Sequence, residues 1–226
     1  GELKIELNWR KRYITLAPIA TVLGLAVVLE DPQDLLGEGP RPGITCVLVK
    51  TSLPGAVVGR RHDAMGIAFP NGPTEGVNVV VPSSAIIGGH AGAGRGWEML
   101  MEALSAGRGL SLPAQSAGGL KRIARVVTAY AQARRQFGAP IARFEGIKEK
   151  ISSILVSTYL SDAARVFVAG AVMEGHRPSV ISAISKHEQT EMTRRAVLDA
   201  MDILGGAALC RGPKNPLLMA LEGSAI

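Results

Sequence analysis

The chain has 226 residues, of which 47% are hydrophobic, 19% charged and only 4% aromatic, with a mean hydropathy of +0.22. That suits one or two domains whose cores are built from Ala, Val, Leu and Ile, with apolar surface to spare for a partner. The net charge of +6 is compatible with a phosphate-bearing ligand, but the basic residues are scattered without an aromatic stacking platform, which argues against nucleic acid. Cys46 and Cys210 form no CxxC pair and no cluster with histidine, which argues against a disulfide framework or a metal site and fits a reducing, cytoplasmic setting.

The opening GELKIELNWRKR lacks the basic-then-apolar pattern of a targeting peptide. Up to about Gly89 the chain reads as β structure. Strands are expected at Leu3–Leu7, Tyr13–Pro18, Thr21–Glu30, Ile44–Lys50, Ala56–Arg60 and Val77–Pro82. Pro/Gly-rich turn signals separate them at 31–34, 37–43, 52–55 and 70–73. The uncharged run Ile14–Leu29 is short for a membrane span and is broken by Pro18 and Gly24, so it reads as two consecutive buried strands. This spacing predicts an antiparallel sheet, sandwich or open barrel.

The GAGRG stretch at 92–96 lacks the strand and helix that would make it a phosphate loop, and reads as an interdomain hinge. Beyond it, helices are expected at Trp97–Ser105, Gly109–Gln136, Phe144–Glu174 and Pro178–Leu204, the last stopped by Gly205-Gly206. Long helices with short links predict an antiparallel bundle. The expected organisation is α+β: a β-domain over residues 1–92, then a helical domain over residues 93–226.

Several blocks point to one family. Arg108 opens a small-residue helix that runs to Tyr130-Ala131. After it come Arg134-Arg135-Gln136-Phe137-Gly138-Ala139-Pro140-Ile141 and Phe144-Glu145-Gly146-Ile147. Later, AMDILGG ends on Gly205-Gly206, and near the start stands Tyr13-Ile14-Thr15. Together these resemble the acyl-CoA dehydrogenase family over nearly the whole chain, and RYITLAPIATVLGLA with GRRH resembles its bacterial long-chain branch.

The resemblance implies FAD as cofactor. In the family, an Arg and a Gln at the end of the signature helix reach the cofactor of the neighbouring subunit, which here implies Arg134 and Gln136, with Phe137 packing against it. A guanidinium fork suits a pyrophosphate. Gly205 and Gly206 match a Gln-x-x-Gly-Gly segment that also lies on the partner's cofactor, although Asp202 stands at the Gln position. Tyr13, where most members have Trp, would shield the flavin ring, and Thr15 would hydrogen-bond near its reactive nitrogen. Arg108 matches an Arg near the active site and takes a supporting role.

The activity implied is α,β-dehydrogenation of fatty acyl-CoA thioesters, with an electron-transfer flavoprotein as electron outlet, in a homodimer or homotetramer. Some members associate with the inner membrane. The catalytic base of the family is a Glu in a Glu-Gly turn about two dozen residues after the Gly pair. Glu222-Gly223 follows Gly205 by 17, and Asn215, Leu217, Ala220, Gly223 and Ile226 fit the stretch that precedes the base. Glu222 is therefore not the expected base, which would lie just beyond Ile226. The helical domain and Thr-rich strand that open a family subunit are also expected to lie outside this chain, leaving it inactive by itself. Two rival readings stay open: a non-catalytic assembly module of the same family, and a related flavin oxidase of the same fold.

Overall fold

The structure is a computed structural model that describes residues 3–64, 69–176, 178–210, 212, 215 and 217, with backbone alone at 105–107. Five strands form its first part: β1 (Lys4–Thr15), β2 (Val22–Leu29), β3 (Gly43–Lys50), β4 (Ala56–Val58) and β5 (Asn71–Pro82). In β1 the alternation of Ile5 and Leu7 with Lys4, Glu6 and Asn8 buries one face and exposes the other. β1, β5 and β4 make one antiparallel sheet in that order, while β2 and β3 make an antiparallel pair. Both sheets share one core of Ile5, Leu7, Leu23, Leu25, Val47, Val49, Val79 and Val81.

Two expectations change here. The strands expected at Leu3–Leu7 and Tyr13–Pro18 merge into one, Lys4–Thr15, because the charged Arg10 stays exposed and pairs with Glu75 at 3.0 Å rather than breaking the ladder, and the second ends at Thr15 rather than Pro18. The Pro-Asn-Gly-Pro turn signal at 70–73 is instead the start of β5, where Asn71 pairs with Thr15 and Gly72 with Ile14. Pro73 lacks an amide hydrogen but its carbonyl still accepts from Gly59 N at 2.9 Å. The uncharged run Ile14–Leu29 is the end of β1, a 3₁₀ turn at Ala17–Ile19, and β2, which alternates in burial rather than being buried throughout.

The glycines at 92–96 are packed. A side chain at Gly94 would strike the carbonyl of Pro42, and one at Gly96 that of Ile44, while Gly94 N donates to Thr45 Oγ1 at 2.9 Å. Glycine lets this segment lie against β3 before α1 (Gly96–Ala106) begins. The molecule divides into two compact units, Gly1–Glu102 and Ala103–Ile226, so the division falls within α1.

In the second unit a π-type turn at Gly107–Ser111 leads into α2 (Leu112–Ala133). A two-residue hairpin follows, β6 (Arg135–Gln136) and β7 (Ala139–Pro140). Then come α3 (Glu145–Met173), α4 (Ser179–Leu204) and the short α5 (Gly206–Leu209). Lys150 near the start of α3 meets Asp199 near the end of α4, and Tyr130 near the end of α2 meets Leu204 at the end of α4, so α4 is antiparallel to α3 and parallel to α2. Leu120, Ile123, Val127, Ile154, Val197, Ala200 and Ile203 fill the space between them.

Gln189 is buried within the bundle. In its better amide orientation it donates to Pro113 O and Ser161 Oγ and accepts from Ser185 Oγ, which ties α2, α3 and α4 together. α3 is by length and composition apolar enough to cross a membrane, with 17% of its most apolar stretch buried. Leu155, Val156, Tyr159 and Phe167 lie exposed along it.

Candidate cofactor-binding site

The residues singled out from sequence fall into two groups, one in each unit. In the sheet unit the deciding feature is a register shift. Odd-numbered residues from Ile5 to Lys11 face the interior, and continued alternation would turn Tyr13 and Thr15 inward as well. Lys11 pairs with Thr74 but Ile14 pairs with Gly72, so β1 carries one extra residue between them. That bulge reverses the alternation: Ile14 becomes half-buried, while Tyr13 and Thr15 point outward together. Tyr13 is 70% exposed, and the Arg12 guanidinium carbon lies 5.9 Å from its ring centroid. The strand ends at Leu16, which has a positive φ and donates its N–H to Pro70 O at 2.7 Å.

In the helical unit the structure moves Arg134, Arg135 and Gln136 off the helix on which they were expected. α2 stops at Ala133 because Phe137 and Gly138 both take positive φ, closing a two-residue turn that Pro140, lacking a donor, ends cleanly. Extended backbone puts Arg134 and Gln136 on one side and Arg135 on the other. Arg135 folds back, donating to Gly138 O at 2.9 Å. Arg134 makes no side-chain hydrogen bond or ion pair among the described residues. Phe137 at the tip is 93% exposed and stands edge-on to Phe144 at 6.1 Å.

The glycine pair lies beside this hairpin. Tyr130, one turn before Arg134, donates its hydroxyl to the carbonyl of Leu204 at 3.4 Å, and Leu204 immediately precedes Gly205. Gly205 ends α4 with φ 57 and ψ −136, a conformation that favours glycine, and Gly206 starts α5. A side chain built at either glycine would meet open space, so backbone conformation accounts for glycine at 205, while at 206 no packing neighbour requires it. One end of the helical unit thus gathers an unpartnered guanidinium, an amide, an exposed ring and an open glycine turn. Such a set can take a phosphate and approach a ribose closely.

A family model described as "Acyl-CoA dehydrogenase, C-terminal domain" matches residues 94–221, more than half of the chain. The chain belongs to the acyl-CoA dehydrogenase family. Among curated relatives, "Protein HemX" of Proteus mirabilis is 50% identical over 99 residues, covering 44% of this chain and 58% of that protein. The probable acyl-CoA dehydrogenase FadE10 of Mycobacterium bovis is 32% identical over 220 residues, covering 96% of this chain and 32% of that protein. The chain therefore spans between about a third and just over half the length of these relatives. Among solved structures, the FAD complex of PigA shares the fold with a TM-score of 0.79 at 24% identity, covering 97% of this chain and 54% of that one.

Asp202, at the position where the family motif has Gln, is not free. It and Asp199 each hold Lys150 Nζ at 2.9 Å. The hydrogen bonds that Lys150 donates to Asp202 and then to Asp199 raise its pKa well above the ordinary lysine value. Lys150 was not legible in sequence as the partner of Asp202, since the two stand on different helices. Arg108 is exposed on the π-type turn and has no side-chain partner among the described residues. Glu222 lies outside the described residues.

Proposed function

We propose that this chain supplies the flavin-facing strand and the dinucleotide-binding helical end of an enzyme that dehydrogenates fatty acyl-CoA thioesters between Cα and Cβ. The observation that carries this reading is the Tyr130–Leu204 contact, which sets the Arg134 and Gln136 hairpin beside the open Gly205-Gly206 turn. FAD fits these residues. The pyrophosphate of a neighbouring subunit's FAD calls for a guanidinium free of competing carboxylates, which Arg134 offers among the described residues, and the ring of the chain's own FAD calls for an exposed aromatic face, which Tyr13 offers. When bound, FAD accepts the hydride that leaves Cβ. On the neighbouring subunit's FAD, Arg134 neutralises phosphate charge, Gln136 hydrogen-bonds the dinucleotide, Phe137 packs on it, and Gly205-Gly206 lets it approach the backbone. Tyr13 covers one side of the ring and Thr15 bonds at its edge. Arg108 supports the acyl-CoA side.

The partners that complete this reading are an electron-transfer flavoprotein and a second or further copies of the chain. The exposed apolar residues along α3 suit such assembly. The setting is cytoplasmic, with the long-chain branch working at the inner membrane surface. A carboxylate must remove the Cα proton, and we infer that it is not Glu222. A non-catalytic assembly module is the second reading, favoured by Asp202, which stands where the motif has an amide and is engaged with Lys150 instead.

The test is the visible spectrum of the full chain after incubation with FAD and desalting. A retained flavin band that is lost in Arg134→Ala but kept in Arg135→Ala supports the site. No retained flavin, or equal loss in both variants, favours the assembly module. Acyl-CoA-dependent dye reduction that Glu222→Gln abolishes, with flavin content intact, would make Glu222 the base after all.

A further inference from the structure

The end of the β1–β5 ladder holds more than Tyr13 and Thr15. After β4 the chain continues alongside β5: Gly59 N donates to Pro73 O at 2.9 Å and His62 N to Asn71 O at 2.8 Å. This brings His62 across to β1. Its ring lies 5.2 Å from that of Tyr13, tilted by 52°. Its Nδ1 is 2.9 Å from Asn71 Oδ1. The amide oxygen of Asn71 can only accept a hydrogen bond, so Nδ1 is the donor and carries the hydrogen in the neutral imidazole. Nε2 then has a free lone pair, with no partner among the described residues. Asn71 is itself the ladder partner of Thr15. Four residues, from β1, β5 and the segment between β4 and β5, thus interlock at one sheet end.

The structure assigns to His62 the role of a positioning residue that fixes the ring of Tyr13 as a platform for the flavin, with Asn71 holding His62 in place. The assignment rests on the reading that Tyr13 faces the flavin. Tyr13 is 70% exposed and stands on the bulged segment of the strand, with the Arg12 guanidinium 5.9 Å from its ring centroid and the His62 ring against it. A tilted ring at 5.2 Å lies within the range of favourable aromatic pairs and restricts the side chain from one side. Pre-setting that orientation lowers the ordering cost that ligand binding would otherwise carry.

The experiment is an FAD titration of the full chain, followed by quenching of flavin fluorescence, for the unsubstituted protein, Tyr13→Ala, His62→Ala, His62→Phe and the double variant Tyr13→Ala/His62→Ala. Proton NMR of the flavin-free chain follows the Tyr13 ring resonances. His62→Ala is expected to raise Kd about three- to tenfold and to shift the Tyr13 resonances without flavin present. His62→Phe keeps a ring against Tyr13 and is expected to restore most of the affinity. The double variant is expected to be no weaker than Tyr13→Ala, because His62 acts through Tyr13. Weaker binding in Tyr13→Ala with no change in His62→Ala overturns the role of His62 and leaves the flavin reading standing. Additive losses overturn it too, as does a His62→Ala variant whose melting point falls while the Tyr13 resonances stay unmoved. Absence of FAD binding, or FAD binding indifferent to Tyr13→Ala, overturns the flavin reading of this strand and the proposal with it.

Discussion

Along β1 and β2 buried and exposed residues alternate, and one inserted residue is enough to turn Tyr13 and Thr15 from the inner face to the outer. Along α2 burial recurs every three or four residues, and the exposed functional groups appear only where the helix stops, at Arg134 and Phe137. The sheet unit thus makes its proposed ligand-facing surface by shifting register within an element, and the helical unit by ending elements beside one another. A register shift is encoded in backbone pairing and leaves little trace in composition. A helix end needs particular residues, here Gly138, Pro140 and Gly205, and these are visible in sequence.

The two cores differ in the same way, and the largest predicted effect tests that. Leu120 is fully buried among three long helices, and Leu25 is nearly so on a two-stranded pair. Leu→Ala at either position should cost about 2–5 kcal/mol, and the cost grows with the cavity that fails to collapse. Helices locked on several sides relax less than a two-stranded pair, so Leu120→Ala is expected to cost more than Leu25→Ala in urea denaturation. Equal costs would mean that the two cores yield alike.

A smaller effect comes from buried polar groups. Gln189→Leu leaves Ser161, Ser185 and the Pro113 carbonyl without their shared partner and should cost about 1–3 kcal/mol. In the sheet unit the nearest counterpart is Thr45, whose hydroxyl donates to Gly43 O, a local contact, and accepts from Gly94 N. Thr45→Val strands one amide rather than three side-chain and backbone groups, and is expected to cost less. Thermal unfolding monitored by circular dichroism ranks the two, and a Thr45→Val cost at or above that of Gln189→Leu would break the contrast.

The sequence carried the order of strands and helices because alternation and helical spacing are local. It also singled out Arg134, Gln136 and the glycine pair as candidates, because family motifs are written in adjacent residues. It did not carry the continuity of β1 through Arg10, Lys11 and Arg12, because charged residues read as a break unless the partner strand that accepts them is known. His62 and Lys150 stayed hidden for the same reason: each gains its meaning from Tyr13, Asn71, Asp199 or Asp202, residues distant in sequence or on another element.

The smallest predicted effect concerns the ion pairs between helices. Asp162 on α3 is held by Lys121 of α2 at 2.9 Å and by Arg165 one turn on at 2.8 Å, and these hydrogen bonds, that from Lys121 first, lower its pKa below the ordinary carboxylate value. A lowered pKa means that the contribution is present in full above the unfolded carboxylate's titration range and is lost as pH falls through it toward the folded value. Lys150 has the opposite sign: its raised pKa keeps its contribution intact through neutral pH and loses it only above the ordinary lysine range. Asp162→Asn should therefore lower the melting temperature slightly at neutral pH, and the difference from the unsubstituted chain should close in acid and shrink in high salt. A difference that persists in acid would show that the Asp162 side chain acts through packing rather than charge. The tie between α2 and α3 would then rest on Gln189 and the apolar core alone.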